Sequence, residues 1–320
     1  MNEGTISGIH HITAIASDPQ RNLDFYTQVL GLRMIKRTVN FDDPGTYHFY
    51  FGDETGTPGS ILTFFPWVNV RPGRRGQGQL TSVGFIIPAA AHAYWRERLE
   101  QLGVSAAPPF QRMGEQVLTL LDPDGMQIEL IARSDADQAA APWANGPVDA
   151  SAAIRGFAAP TLLVGDAGPT ASLLELFGYR LEAQEGPRAR YLRATGLPGA
   201  GAWMDLEVRP QEPAARSGGG MVHHIALRAA DGEEQLAWRD ALVQQGHEVT
   251  PVMDRQYFQS IYFREPGGIL FEIATDGPGF ATDETPAALG TALKLPPWYE
   301  DRRELIERAL PPLRVPEPRG

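Results

Sequence analysis

Hydrophobic and polar positions along the chain fall into four passages that share one grammar. Each opens on a strand-like run, passes into an amphipathic helix ending at glycine, and closes on an apolar strand that follows a second glycine. The helix-ending glycines are Gly31, Gly103, Gly178 and Gly246, and the closing runs are PGSILTFF, PDGMQIEL, PGAGAWMDLEV and PGGILFEI. Four residues past the closing glycine stand Thr63, Glu129, Asp205 and Glu272, at offsets of 32, 26, 27 and 26 residues from the helix glycines. Such agreement marks an internal repeat.

Each passage predicts a βαβββ module, with its helix on one face of a small curled sheet. A unit of about 55 residues leaves its other face bare, so modules must pair around shared concavities. The fold class predicted is α+β: four βαβββ modules paired into two domains of curled mixed sheets, with helices outside. Along the chain, residues 1–135 form a first pair of modules and 153–280 a second. Between them, 136–152 falls in the Ala-rich, Pro-containing run RSDADQAAAPWANGPVDAS and reads as a linker. Residues 281–320 form a C-terminal extension, in which PPWYEDRRELIERALPPL predicts a proline-started amphipathic helix packed over a domain seam.

Composition narrows the chemistry. The 320 residues contain no cysteine, which removes disulfides, thiolate metal sites, iron–sulfur clusters and cysteine nucleophiles, and fits a cytoplasmic protein. The net charge of -11 disfavours nucleic acid and anionic membranes as partners. No apolar run approaches the roughly 18 residues of a membrane span, and the start MNEGTISGIHHITAIASD lacks the pattern of a signal peptide. The basic stretch RPGRRGQG, Arg71 to Gly78, lacks the strand-then-helix context of a phosphate-binding loop and reads as a solvated linker. Oligomeric state is left open, and a homo-oligomer is compatible with the sequence.

The first and last modules open on HHITAIA and HHIALRA, which together use four of the seven histidines. Side chains alternate along a strand, so His11 shares a face with Thr13, and His224 with Ala226. Ile225 and Leu227 suit the covering helix, which turns His224, and by analogy His11, toward the concavity. Glu272 sits in the otherwise apolar strand ILFEIAT, 48 residues after His224, where an unpaired buried charge would cost several kcal/mol and calls for a cation. Two imidazoles and one carboxylate leave three positions of an octahedral ion open, an arrangement suited to non-haem Fe(II). Glu129 has the same offset in its module but no histidine at the matching position, taken as Thr81, so it is read as making a structural ion pair or lining a surface, as are Asp205 and Glu207. His48, His92 and His247 lack partners at useful spacing and are read as structural or exposed.

With these residues in place the chain resembles the vicinal oxygen chelate superfamily and, within it, the ring-cleaving dioxygenases that act on hydroquinones and related aromatic diols. The resemblance runs nearly the whole length, through HHIT, FYTQVLGLRMIKRTVNFDDP, YHFYFGDETGTPGSILTFFP, GGMVHHIA, RQYFQSIYFREPGGILFEIATDGPGF and LGTALKLPPWYEDRRELIERALPPL. It implies His11, His224 and Glu272 as ligands of Fe(II), with Mn(II) as the alternative metal. It also implies that the first and fourth modules pair, and that His10, Thr13, His223, Arg255 and Tyr262 assist catalysis. By parity Thr13 and Tyr262 reach the cavity, whereas His10 and His223 do so only if their strands bulge. The implied substrates are a small aromatic diol and O2. A glyoxalase-like lyase or isomerase would need a second carboxylate, where this chain has Thr63. A metal-free protein that sequesters small molecules would leave both HH pairs and Glu272 without a purpose.

Overall fold

The structure, a computed structural model, describes residues 6–136, 139–194 and 199–315. Module one comprises β1 (Ile9–Ala16), α1 (Pro19–Asp24), β2 (Arg33–Asn40), β3 (Asp43–Gly52) and β4 (Ile61–Pro66). Module two comprises β5 (Gln79–Pro88), α2 (His92–Gln101), β6 (Phe110–Arg112), β7 (Glu115–Leu121) and β8 (Gln127–Arg133). Module three comprises β9 (Thr161–Val164), α3 (Ala167–Leu176), β10 (Tyr179–Glu185), β11 (Arg188–Arg193) and β12 (Trp203–Val208). Module four comprises β13 (Met221–Ala229), α4 (Gly232–Gln244), β14 (Met253–Asp254), β15 (Phe258–Arg264) and β16 (Leu270–Pro278). A short helix, α5 (Arg303–Ala309), lies in the C-terminal extension.

Local chemistry sets the helix ends. Asp18, Asp166 and Asp231 cap α1, α3 and α4 by accepting hydrogen bonds from backbone N–H groups of the first turn. The four repeat glycines leave the helices at φ of +72°, +68°, +86° and +87°. Buried side chains such as Leu23, Trp95, Leu174 and Trp238 then press the helices onto their sheets in one continuous core.

The fold is α+β, with two curled mixed sheets of eight strands in the orders β14-β15-β16-β13-β1-β4-β3-β2 and β10-β11-β12-β9-β5-β8-β7-β6. Within each module the first and last strands run parallel, and between modules first strands join antiparallel, β1 to β13 and β5 to β9. Module one therefore pairs with module four and module two with module three. The contiguous division 1–135 and 153–280 does not coincide with the sheets, because each opening strand has one edge left over by its own module and fills it from the opposite half of the chain.

Two further expectations change. RPGRRGQG keeps exposed side chains, but its backbone is not a free linker. Arg74 and Arg216 exchange N–H···O bonds of 2.8 Å, and Gln77 is paired with Pro213 and Ala215 in the connector between modules three and four. A Cβ on Gly76 would lie 2.2 Å from the Pro213 carbonyl oxygen, so glycine permits this close approach. The helix of the C-terminal extension lies on module one rather than over a seam, while the start of the extension reaches module four, where Asp283 accepts from the Tyr257 hydroxyl. The fully buried Lys36 on β2 pins it through Asp283 at 2.6 Å, Glu284 at 2.5 Å and the Phe280 carbonyl at 3.0 Å. Tyr299 in turn donates to the Phe41 carbonyl. No helix among the described residues is long and apolar enough to cross a membrane.

Candidate metal centre

His11, His224 and Glu272 converge although they come from both ends of the chain, because β1 and β13 are neighbours and β16 flanks β13. One ligating atom from each lies within 4.8 Å of the others, and all three residues are buried. Glu272 Oε2 stands 2.9 Å from His224 Nε2 and 3.4 Å from His11 Nε2. Its other oxygen accepts a hydrogen bond from the buried Ser260 hydroxyl, which fixes the carboxylate's orientation. His224 Nε2 and Glu272 Oε2 are enclosed yet make no hydrogen bond. Burial pushes the Glu272 carboxyl up, but His11 and His224 outweigh it and hold the group well below the usual carboxylate range. Burial likewise pulls His224 below the normal histidine value, toward the neutral, ligating form. Two imidazole nitrogens and an anionic oxygen gathered within 4.8 Å, with His224 Nε2 and Glu272 Oε2 enclosed and lacking hydrogen-bond partners, fit a divalent cation.

The paired histidines use the bulge that alternation requires. The register of β1 against β13 shifts between Ile9 and His11 and again between Thr13 and Ala14, where the partner residue jumps from His224 to Val222. These two irregularities fall at His10 and His223, one per module. Each turns the first histidine back onto its neighbour: His10 Nδ1 lies 2.9 Å from His11 Nδ1, and His223 Nδ1 lies 2.8 Å from His224 Nδ1. With Nδ1 so occupied, Nε2 is the nitrogen that His11 and His224 each have free for a metal. Burial lowers His10 well below the usual value, assisted by His11, and brings His223 down to about 3, assisted by His224.

A cavity of ≈ 370 Å³ opens beside this cluster, within the range of small-molecule sites. His11, His224, Thr13, His223, Arg255 and Tyr262 reach its wall. His10 does not; it packs behind His11 and against Phe258, so any effect on chemistry acts through His11. Arg255 Nε donates to the Tyr262 hydroxyl at 3.3 Å, and its guanidinium reaches Asp42 at 3.1 Å across the mouth. Burial, reinforced by the Glu272 charge, raises Tyr262 above the ordinary phenol value, so it holds its proton.

Sequence reasoning missed part of this wall. Phe41 and Asp42 come from the β2–β3 turn, Phe65 and Trp67 from the end of β4, and Asp43, His48 and Tyr50 from β3. His48 is neither isolated nor merely packed: Nε2 lies 2.9 Å from Thr63 Oγ1 and Nδ1 3.0 Å from the Tyr50 hydroxyl. A polar residue inside the apolar strand TYHFYFG was the available signal.

The other sheet shows what the same positions do without histidines. Gly84 pairs with Glu129, so Ser82, not Thr81, lies two residues before the carboxylate's partner, as His224 does in β13. Arg112 clamps Glu129 through two hydrogen bonds of 3.1 and 2.6 Å, Arg190 and Arg188 hold Asp205, and Arg188 also holds Glu207. These carboxylates are neutralised by guanidinium groups.

The family model described as "Glyoxalase/Bleomycin resistance protein/Dioxygenase superfamily" matches residues 8–130 and 157–273. The chain is 48% identical over 311 residues to the Bacillus subtilis (strain 168) protein named "Putative ring-cleaving dioxygenase MhqO", covering 97% of each. It is 33% identical to "Chlorohydroquinone/hydroquinone 1,2-dioxygenase" of Sphingobium indicum, covering 95% of this chain and 96% of that one. A crystal structure of a "putative dioxygenase" from Bacillus subtilis superposes with a TM-score of 0.92 at 47% identity, covering 98% of this chain and 99% of the other.

Proposed function

The chain belongs to the Glyoxalase/Bleomycin resistance protein/Dioxygenase superfamily, and from that premise we propose that it is a ring-cleaving dioxygenase, dependent on non-haem Fe(II), that inserts both atoms of O2 into a hydroquinone or related aromatic diol. The observation that carries this reading is the buried cluster of His11, His224 and Glu272, with Thr63 rather than a second carboxylate at the matching place in module one. Three protein donors leave room for both a phenolic oxygen and O2. Mn(II) is the alternative occupant.

When bound, the metal supplies a charge that favours the phenolate and a site where O2 can take electrons from the ring. The remaining work falls to the protein. Phe41, Phe65, Trp67 and Phe258 enclose the ring and exclude water. Arg255, held against Tyr262, faces the cavity as the group for a distal hydroxyl or developing negative charge. Tyr262, kept protonated, donates a proton to reduced oxygen, and His223 faces the same cavity as the histidine placed to relay one. His10 holds the His11 ring in its ligating orientation. The product is a ring-opened acid.

Oxygen uptake with a panel of hydroquinones and catechols, after anaerobic loading with Fe(II), tests this reading. One O2 consumed per diol is expected. Absence of uptake across the panel, or turnover of a glutathione adduct with nickel or zinc, would remove it.

A further inference from the structure

Thr63 pairs with Thr13 across β4 and β1 as Glu272 pairs with Ala226 across β16 and β13. A carboxylate at Thr63 would face the cluster as a fourth donor. In its place runs a chain of side chains, all from module one. Thr13 Oγ1 lies 2.8 Å from Thr63 Oγ1, Thr63 Oγ1 lies 2.9 Å from His48 Nε2, and His48 Nδ1 lies 3.0 Å from the Tyr50 hydroxyl.

This chain has a direction. Burial raises Tyr50 well above the usual phenol value and lowers His48 well below the usual imidazole value, so each is neutral and carries one exchangeable proton. A phenol is a good donor and a poor acceptor, because its lone pair is drawn into the ring, whereas an aliphatic hydroxyl accepts readily. Tyr50 therefore donates to His48 Nδ1, His48 Nε2–H donates to Thr63, and Thr63 donates to Thr13. Each bond polarises the next. The proton left over belongs to Thr13, which lines the cavity and pairs across the sheet with His224. The reverse order would make the Tyr50 phenol accept from His48 Nδ1–H, the role its oxygen fills poorly, and would leave the surplus proton on a hydroxyl with no second partner among the described residues.

We propose that Tyr50, His48 and Thr63 are positioning residues that make Thr13 a one-way hydrogen-bond donor, so that the open side of the metal centre selects an oxygen that only accepts, an ionised phenolic oxygen rather than a neutral hydroxyl. The proposal rests on the dioxygenase reading for the identity of the ligand, but not for the order of the hydrogen bonds. It gives the departure from a fourth carboxylate a second consequence. The same substitution that keeps a coordination position free also supplies a donor beside it.

Two measurements test it. In the full chain freed of metal, 15N–1H correlation of the imidazole should show His48 as the neutral Nε2–H tautomer, and Tyr50→Phe should release that preference. An Nδ1–H tautomer would overturn the proposed order. In the Fe(II)-loaded protein under anaerobic conditions, 4-nitrocatechol reports its own ionisation by absorbance. Thr63→Val should bind it at least tenfold more weakly and shift the bound chromophore toward the protonated form, at unchanged metal content, and Thr63→Ser should restore both. Wild-type affinity and spectrum in Thr63→Val would overturn the proposal. Should the wild-type protein take up no oxygen with any diol, the dioxygenase reading falls while the His48 tautomer is read independently.

Discussion

Replacing Glu272 by Gln isolates the charge of the metal centre. Glutamine keeps the size of the side chain and an oxygen for the Ser260 hydroxyl, and it removes the one anionic donor among two imidazoles. The three donors span no more than 4.8 Å, so an ion between them lies well inside 4 Å of the carboxylate. A single unit charge at about 4 Å and an effective dielectric constant of about 20 contributes about 4 kcal/mol. At about 1.4 kcal/mol per decade, that is a loss of roughly 1,000-fold in metal affinity, and a divalent ion makes it a lower bound. Calorimetric melting with and without metal reads the effect directly. At a metal concentration of 100 times its Kd, the wild-type protein should gain about 2.7 kcal/mol, whereas a variant binding roughly 1,000-fold more weakly should gain less than about 0.1 kcal/mol. For a chain of this size the wild-type gain corresponds to a Tm rise of about 4 °C, which the variant should lack. An equal metal-induced rise in both proteins would refute the assignment of Glu272 as a ligand.

Other outcomes follow from the same structure. Lys36→Met leaves Asp283 and Glu284 without their shared buried cation and should lower unfolding free energy by about 3–5 kcal/mol in denaturant titration; a loss below about 1 kcal/mol would show that the extension is held by other contacts. Tyr262→Phe should retain the metal and slow turnover at least tenfold, and undiminished kcat would exclude Tyr262 as a proton donor. Asp122 accepts from Tyr26 and from two backbone N–H groups, and burial raises its carboxyl to about 6. Because the folded value lies above the ordinary 3.8, the native state holds the proton more tightly. Stability should therefore fall by about 3 kcal/mol as pH rises from about 4 to about 6, then level off. Asp122→Asn keeps an oxygen for the two backbone N–H groups, turns its amide N–H toward the Tyr26 hydroxyl as donor, and should flatten that slope; an unchanged slope would place its origin elsewhere.

Much of this protein is legible along the chain because its causes are local or periodic. The four glycines that end the helices, the closing strands and the alternation that turns His11, His224 and Thr13 toward one face follow from backbone conformation and the two-residue period of a strand. Spacing alone also separated Glu272, with a histidine 48 residues before it, from Glu129, which lacks one.

The tertiary structure decided matters that depend on which edges meet. Chain order suggested adjacent modules as domains, but β1 and β13 pair across more than 200 residues, because hydrogen-bonding edges are satisfied in space without regard to distance along the chain. The bulges at His10 and His223 appear only as register between those two strands. His48 looked solitary because Thr63 becomes its neighbour only when β3 and β4 pair; Tyr50, two residues along β3 on the same face, was legible in the sequence. A sequence states which side chains a strand can present on each face; packing determines what stands opposite them, and the metal centre is built from that opposition.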